Sequence, residues 1–189
     1  MQYEFTGTVP DGFRVGLCGP DRAGAAMAMR DAILAEIADT TPSWYIIDET
    51  DDEFRAFFTL PECVAIGIDA PNGDLAAIGV GSFREAELER FRAYIPVEEF
   101  SKPRNVGYVE LIQVASGYRG LGFQRLLFTE IERVLREKGA RWLTGIVSPD
   151  NKYSLANFQR MGYRRVGDFI HARTGFARLN MIKDTDAPK

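Results

Sequence analysis

Two cysteines, Cys18 and Cys63, and one histidine, His171, are all that 189 residues hold of those two types. Two cysteines do not make a disulfide framework. With no CxxC pair and no His/Cys cluster, the sequence offers no metal-binding pattern. No apolar run approaches the roughly 20 residues that span a bilayer. The first residues, Met1 to Phe5, lack the basic and apolar regions of a secretory signal. Neither charge sign dominates: 23 Lys and Arg against 27 Asp and Glu leave a net charge of -4. That mild acidity argues against nucleic acid or an anionic membrane surface as the main partner. Internal repeats, low-complexity tracts and linkers are also missing. These absences leave one expectation: a single domain over 1–189, without metal, in a reducing cytoplasm.

What is present supports a sizeable core, since hydrophobic residues make up 46% and charged residues 26%, an ordinary globular balance. Phe13 to Cys18 reads as a short first strand, broken by Gly19-Pro20-Asp21. Residues 22–39 read as a helix with Ala26, Met29, Ile33 and Ile37 on one face, followed by a loop at Thr40-Thr-Pro-Ser43. Asp51 to Phe58 reads as a shorter helix with acidic residues at its start, as the helix dipole favours. Glu62–Asp69 and Leu75–Phe83 are apolar runs around Asn72-Gly73, a strong hairpin signal. Both look buried on two faces and therefore central. Arg84 to Phe100 mixes charge with aromatics. The favoured reading is a solvated helix and a proline-bent loop; the other is an insertion on the substrate side. Tyr108–Val114 is a strand, and 120–138 a helix with Phe123, Leu127, Ile131, Val134 and Leu135 at helical spacing. Trp142–Val147 is a strand and 151–161 a helix that Gly162 stops. Tyr163–Ile170 and Phe176–Ile182 make a terminal hairpin. This order predicts an α/β (α+β) domain, a mixed sheet of about seven strands flanked by about four helices.

The chemistry-bearing stretch is Tyr118-Arg119-Gly120-Leu121-Gly122-Phe123-Gln124, where a strand turns into a helix. The first amides of a helix lack intrahelical partners and carry partial positive charge, so they hold anions. Glycines at 120 and 122 remove the Cβ atoms that would keep an anion away. Arg119 adds a forked donor suited to phosphate. No Gly-Lys-Ser/Thr follows, so this is not a P-loop, and the three-glycine dinucleotide pattern is absent. On spacing alone the stretch reads equally as a phosphate cradle or as a bare strand-to-helix turn.

Arg119 and Gly122, placed after the strand-ending Val114, resemble the pyrophosphate loop of the GNAT superfamily of acyl-CoA-dependent N-acyltransferases: Arg/Gln, two residues, Gly, one residue, Gly/Ala. Gln124 departs from that pattern. Asn151, Phe158 and Gly162-Tyr163 resemble the family's later helix-and-strand signature. The resemblance is firm over 106–183 and topological before it. It implies a GNAT fold in which strands 106–114 and 141–147 splay apart to admit the pantetheine arm. It also implies acetyl-CoA as co-substrate, held by Arg119, Gly120, Leu121, Gly122, Phe123 and Gln124. The backbone of Ile112 and Val114 would bond the pantetheine as a further strand would, with Asn151 and Phe158 nearby. The acceptor would be a primary amine on a small molecule or peptide, and a homodimer is allowed.

Acyl transfer from a thioester to an amine needs a base and a donor for the departing thiolate. Glu110 is the only acid within 108–114. Regular alternation would put it on the face of Ile112 and Val114. The resemblance makes it the candidate base, against a structural ion pair. The family's usual tyrosine is replaced by Phe158, which has no proton to give. Asn151, Ser154 and Phe158 share a helix face at i, i+3 and i+7, so Ser154 is the substitute donor. A second hypothesis is a non-catalytic acyl-CoA sensor, motivated by Phe158. His171 reads as structural or exposed, Cys18 and Cys63 as small buried apolar residues.

Overall fold

The computed structural model describes residues 3–38 and 49–187. The loop expected at 40–43 lies outside them. Seven strands form one mixed sheet in the order β1-β2-β3-β4-β5-β7-β6. They are β1 (Arg14–Leu17), β2 (Cys63–Asp69), β3 (Leu75–Ser82), β4 (Val106–Val114), β5 (Trp142–Val147), β6 (Arg164–Ile170) and β7 (Ala177–Asp184). All neighbours are antiparallel except β4 and β5. A parallel pair needs a crossover, and α5 (Phe123–Glu137) supplies it.

The β2–β3 hairpin forms where the Asn-Gly dipeptide requires. Gly73 adopts φ +89°, and the Asn72 side-chain oxygen accepts from the Asp74 amide at 3.1 Å. Both strands are interior, as their unbroken apolar runs imply.

α5 lies across one face of the sheet. Leu127, Ile131 and Leu135 are fully buried, each contributing about 2 kcal/mol by removal from water. Glycines on the facing strands let the helix approach closely. A Cβ at Gly81 would stand 2.7 Å from Ile131 and 3.1 Å from Leu135. α6 (Lys152–Arg160) joins the same face through Phe158, whose ring meets Phe128 and Tyr163 edge-on at 5.0 Å each.

The opposite face is covered in two parts. α1 (Ala23–Ile37) and α2 (Asp51–Ala56) pack Ala26, Met29, Ile33 and Phe54 against Ile78 and Val80. α2 starts with a reciprocal capping box between Thr50 and Glu53, which satisfies two orphan amides. The segment expected to be solvated is instead built into the core. α3 (Glu85–Leu88), a 3-10 stretch at Glu89–Tyr94 and α4 (Val97–Phe100) bury Leu88, Phe91 and Ile95 against Tyr108, Trp142 and Ile182. Glu85, Glu89 and Arg92 point outward between apolar anchors spaced three and four residues apart, while Arg90 reaches inward over Phe169, a pattern that three short helical turns hide from a single-period reading. α3 and α4 raise the number of helices above the expected four.

Candidate active site

β4 and β5 are paired only from Val106–Trp142 to Val109–Gly145. Beyond that point β4 continues to bond β3, and β5 continues to bond β7, but no further β4–β5 pair forms among the described residues. The strands therefore part at Glu110 and Ile146. β4 changes there from fully buried to half-buried at Glu110, Leu111 and Ile112. The gap leaves backbone donors and acceptors of β4 facing open space, the condition for adding an extended ligand as another strand. Ile112 and Val114 both lie along it.

The turn at the end of the gap is open. Gly120 and Gly122 take φ +83° and +80°, which side chains rarely adopt, and a Cβ at either would meet nothing within 4 Å. Gly122 caps α5 without any side-chain hydrogen bond. The first amides of α5, from Phe123 and Gln124 onward, thus point into open space with the helix dipole behind them. Leu121 is exposed on the same turn. Arg119 is held in a fork by Glu36 at the end of α1, at 2.7 and 3.1 Å, and Ser116 also bonds that carboxylate. Those two bonds and the charge of Arg119 keep the Glu36 carboxyl below the usual range. The sequence-predicted phosphate donor is therefore shared with a carboxylate on another element.

Glu110 is not on the face of Ile112 and Val114, contrary to the expectation from regular alternation. Val80 pairs with Leu111 and Gly81 with Val109, so Glu110 is an extra residue in the ladder, a β-bulge. Bulges re-aim a side chain. Ile112 and Val114 pack with the α5 core, whereas Glu110 turns to the α1–α2 face and accepts a 2.5 Å hydrogen bond from the Ser82 hydroxyl. Arg84 stands at 3.7 Å from the same carboxylate oxygen, and the Glu110 side chain is 7% exposed. Burial pushes its carboxyl up to about 7, with Glu87 and Glu49 adding to the effect. Ser82 and Arg84 oppose that rise without reversing it. A carboxyl titrating near neutrality is suited to exchange protons.

Tyr108 lies two residues before Glu110 and is 2% exposed. Burial, then the nearby Glu110 charge, hold its hydroxyl well above the ordinary range. Ser82, Arg84 and Tyr108 were not signalled as site residues by sequence, because the bulge that gathers them around Glu110 has no compositional mark. Tyr108 and Ser82 are direct cross-strand partners.

Asn151 caps α6: its side-chain oxygen accepts from the Ser154 amide at 3.0 Å. Ser154 is half-buried on the first turn of α6. Phe158 is enclosed at 4% exposure, its ring tip 2.7 Å from where a Cβ on Gly145 would stand. It packs beneath β5 as apolar support, the role its missing hydroxyl left for it. Burial pushes the Cys18 and Cys63 thiols up to about 11 and about 12, so neither is a thiolate nucleophile at neutral pH. No group of three His, Cys, Asp or Glu able to hold a metal exists among the described residues.

The parting of β4 and β5 thus falls at the residue that carries the near-neutral carboxyl, and β4 goes on from it to the uncapped start of α5. Solved acetyltransferase structures share the fold of this chain. An acetyltransferase of the GNAT family from Streptococcus pneumoniae superposes with a TM-score of 0.63 at 17% identity, over 90% of this chain and 98% of that one. A GCN5-related N-acetyltransferase from Kribbella flavida gives 0.64 at 17%, over 93% and 99%. The ribosomal-protein-S18-alanine N-acetyltransferase from Escherichia coli gives 0.65 at 13%, over 94% and 96%. At these identities the likeness establishes the fold. No curated protein is a significant sequence match. The family model described as the Acetyltransferase (GNAT) family matches residues 31–163. That match spans well over half of the sequence and includes the gap, the bulge and the open turn, so the chain belongs to the acetyltransferase (GNAT) family and is an acyltransferase.

Proposed function

We propose that the protein transfers an acetyl group from acetyl-CoA to a primary amine, with Glu110 as base. One observation supports this: a buried carboxyl raised to about 7 belongs to the residue at which β4 and β5 part, and β4 goes on from there to an uncapped, Cβ-free helix start. The residues fit the group. Amides at 122–124 and the fork of Arg119 suit a diphosphate, and the unpaired edge of β4 at Ile112 and Val114 suits an amide-bearing arm. When bound, acetyl-CoA supplies a carbonyl activated by a thiol leaving group.

The residues of the chain then do three things. The β4 edge at Ile112 and Val114 and the turn at 119–124 would hold the arm along the stretch of β4 that Glu110 begins. Glu110 would take one proton from the incoming ammonium and free the nitrogen lone pair; as the C–N bond forms and the C–S bond breaks, the nitrogen gives up a second proton, which ends on the departing sulfur as thiol. Ser154 is the hydroxyl we assign to the departing sulfur. Because a thiol has a pKa of about 8.5, its anion leaves readily, so the need for this donor is small. The raised pKa of Glu110 favours turnover over a sensor role, since a silent binding module has no use for a proton acceptor poised at neutral pH.

Two measurements test the reading. Coenzyme A should raise the melting temperature, and free thiol should appear when acetyl-CoA and a suitable amine are combined. Unchanged melting at saturating acetyl-CoA and coenzyme A sinks it.

A further inference from the structure

β7 carries a charge that the proposed chemistry leaves unused. Arg178 is 1% exposed, and alternation along β7 puts its side chain with Ile182 on the face that α3 and α4 cover, where Glu110 also lies and the acceptor would enter, rather than on the α5 face with Leu179 and Met181. Its Nη1 donates to the Ala177 carbonyl, but its buried Nη2 has no hydrogen-bond partner among the described residues. A guanidinium cannot shed its proton. A buried charge without a counter-charge destabilises the fold unless something pairs it.

A second arginine converges on the same spot. Arg90, from the segment covering the acceptor face, stacks 4.8 Å over the ring of Phe169, and Phe169 is the direct cross-strand partner of Arg178. Arg90 bonds Glu87 at 3.0 Å through Nη2, while its buried Nε and Nη1 have no partner among the described residues. His171 is close enough to feel both arginines. Burial, then Arg178 and Arg90, hold it below its ordinary pKa, so it adds no charge at neutral pH. Two arginines offset by one Glu87 leave a single positive charge facing three orphaned N–H donors. That matches a monoanion with planar oxygens. Glu87, which bonds Arg90, and Tyr108, the cross-strand partner of Ser82, connect this cluster with Glu110: Glu110 feels the charge of Glu87, and Tyr108 that of Glu110 and Arg90.

We propose that the acceptor is an amino acid, whose carboxylate is held by Arg178 and Arg90 while its amine faces Glu110. This assignment rests on the acetyl-transfer reading above. It requires a substrate with opposite charges at its two ends, as the acceptor face has.

The test is thiol release from acetyl-CoA over the twenty protein amino acids, each reacting one compared with its carboxamide and its decarboxylated amine. The same compounds are tested for a melting shift on the coenzyme A-loaded protein. Removing the carboxylate should lower kcat/KM on the order of 100-fold, because it leaves buried donors unpaired. The loss should appear mainly in KM. Arg178→Met should abolish that preference and Arg178→Lys restore part of it. Arg90→Gln, at a partly exposed position, should weaken the preference even if Arg178 variants fail to fold. Equal rates for acids and their amides, or faster reaction of amines without an acid, overturn the proposal while leaving acetyl transfer intact. Failure of every amino acid to release thiol and to shift melting also overturns it. A missing coenzyme A shift would instead strike the acetyl-transfer reading.

Discussion

Replacing Glu110 with Gln should make the enzyme slower and more stable at once. The substitution keeps the shape of the side chain and an oxygen for the Ser82 hydroxyl, while removing the charge and the proton acceptor. A positioned base contributes about 10²- to 10⁴-fold, so kcat/KM should fall at least about 100-fold. The pH profile gives a second mark. The active form is the carboxylate, and the group titrates at about 7. Wild-type kcat/KM should therefore fall tenfold per pH unit below about 7, and the variant should lose that limb. Stability moves the other way. The folded-state pKa is raised, so the folded protein binds more protons than the unfolded chain between about 4.5 and about 7. Stability is then greatest below the lower value and is lost as pH rises through the upper one. At about 1.4 kcal/mol per pH unit, the buried carboxylate costs the folded state about 3 kcal/mol at pH 8. The 7% exposure of the side chain leaves little solvent screening to reduce this. Glu110→Gln should therefore raise the pH 8 melting temperature by several degrees, with the gain shrinking to nothing near pH 4.5. Thiol release and melting curves between pH 4.5 and 8.5 read both effects. A variant that keeps its activity, or that is less stable than wild type at pH 8, refutes the reasoning.

Glu36→Gln should release Arg119 from its fork and tighten coenzyme A binding by up to about fivefold, the scale of an exposed ion pair; calorimetric titration would read it, and weaker binding would mean that Glu36 positions Arg119 rather than competes for it. Ser154→Ala should lower kcat by less than about tenfold, because a thiolate departs with little help; a larger loss at unchanged melting temperature would make Ser154 an obligatory donor. Phe158→Tyr should not improve turnover. Its hydroxyl would run toward Gly145 beneath β5, an overpacking that costs about 1–3 kcal/mol and should lower the melting temperature; a faster enzyme of undiminished stability would show that α6 lies closer to the gap than the packing indicates.

Local chemistry was enough to read the hairpin at Asn72-Gly73, the α5 stripe and the glycine turn. Each depends on residues within one or two turns of each other, where backbone sterics and periodicity act directly. The central place of β2 and β3 was also legible, since strands covered on both sides carry continuous apolar runs. The helical segment at 84–100 was misread as solvated because its apolar anchors are spread over three short turns.

What only the assembled sheet decided is the direction and company of the polar side chains. Period-two alternation put Glu110 beside Ile112 and Val114. One extra residue opposite Val80 and Gly81 sends it through to the other face, to Ser82 and Arg84. Nothing in the local sequence announces that slip, because register is settled by which strand of the sheet pairs with which. Arg178 is marked in sequence only as a charge in an apolar strand. Its burial and its unpaired N–H belong to a face of β7 on which Ile182 packs with Leu88, Phe91 and Ile95, more than eighty residues away. Desolvation, which moves the Glu110 carboxyl to neutrality, is likewise a property of everything packed around the group and not of the group itself.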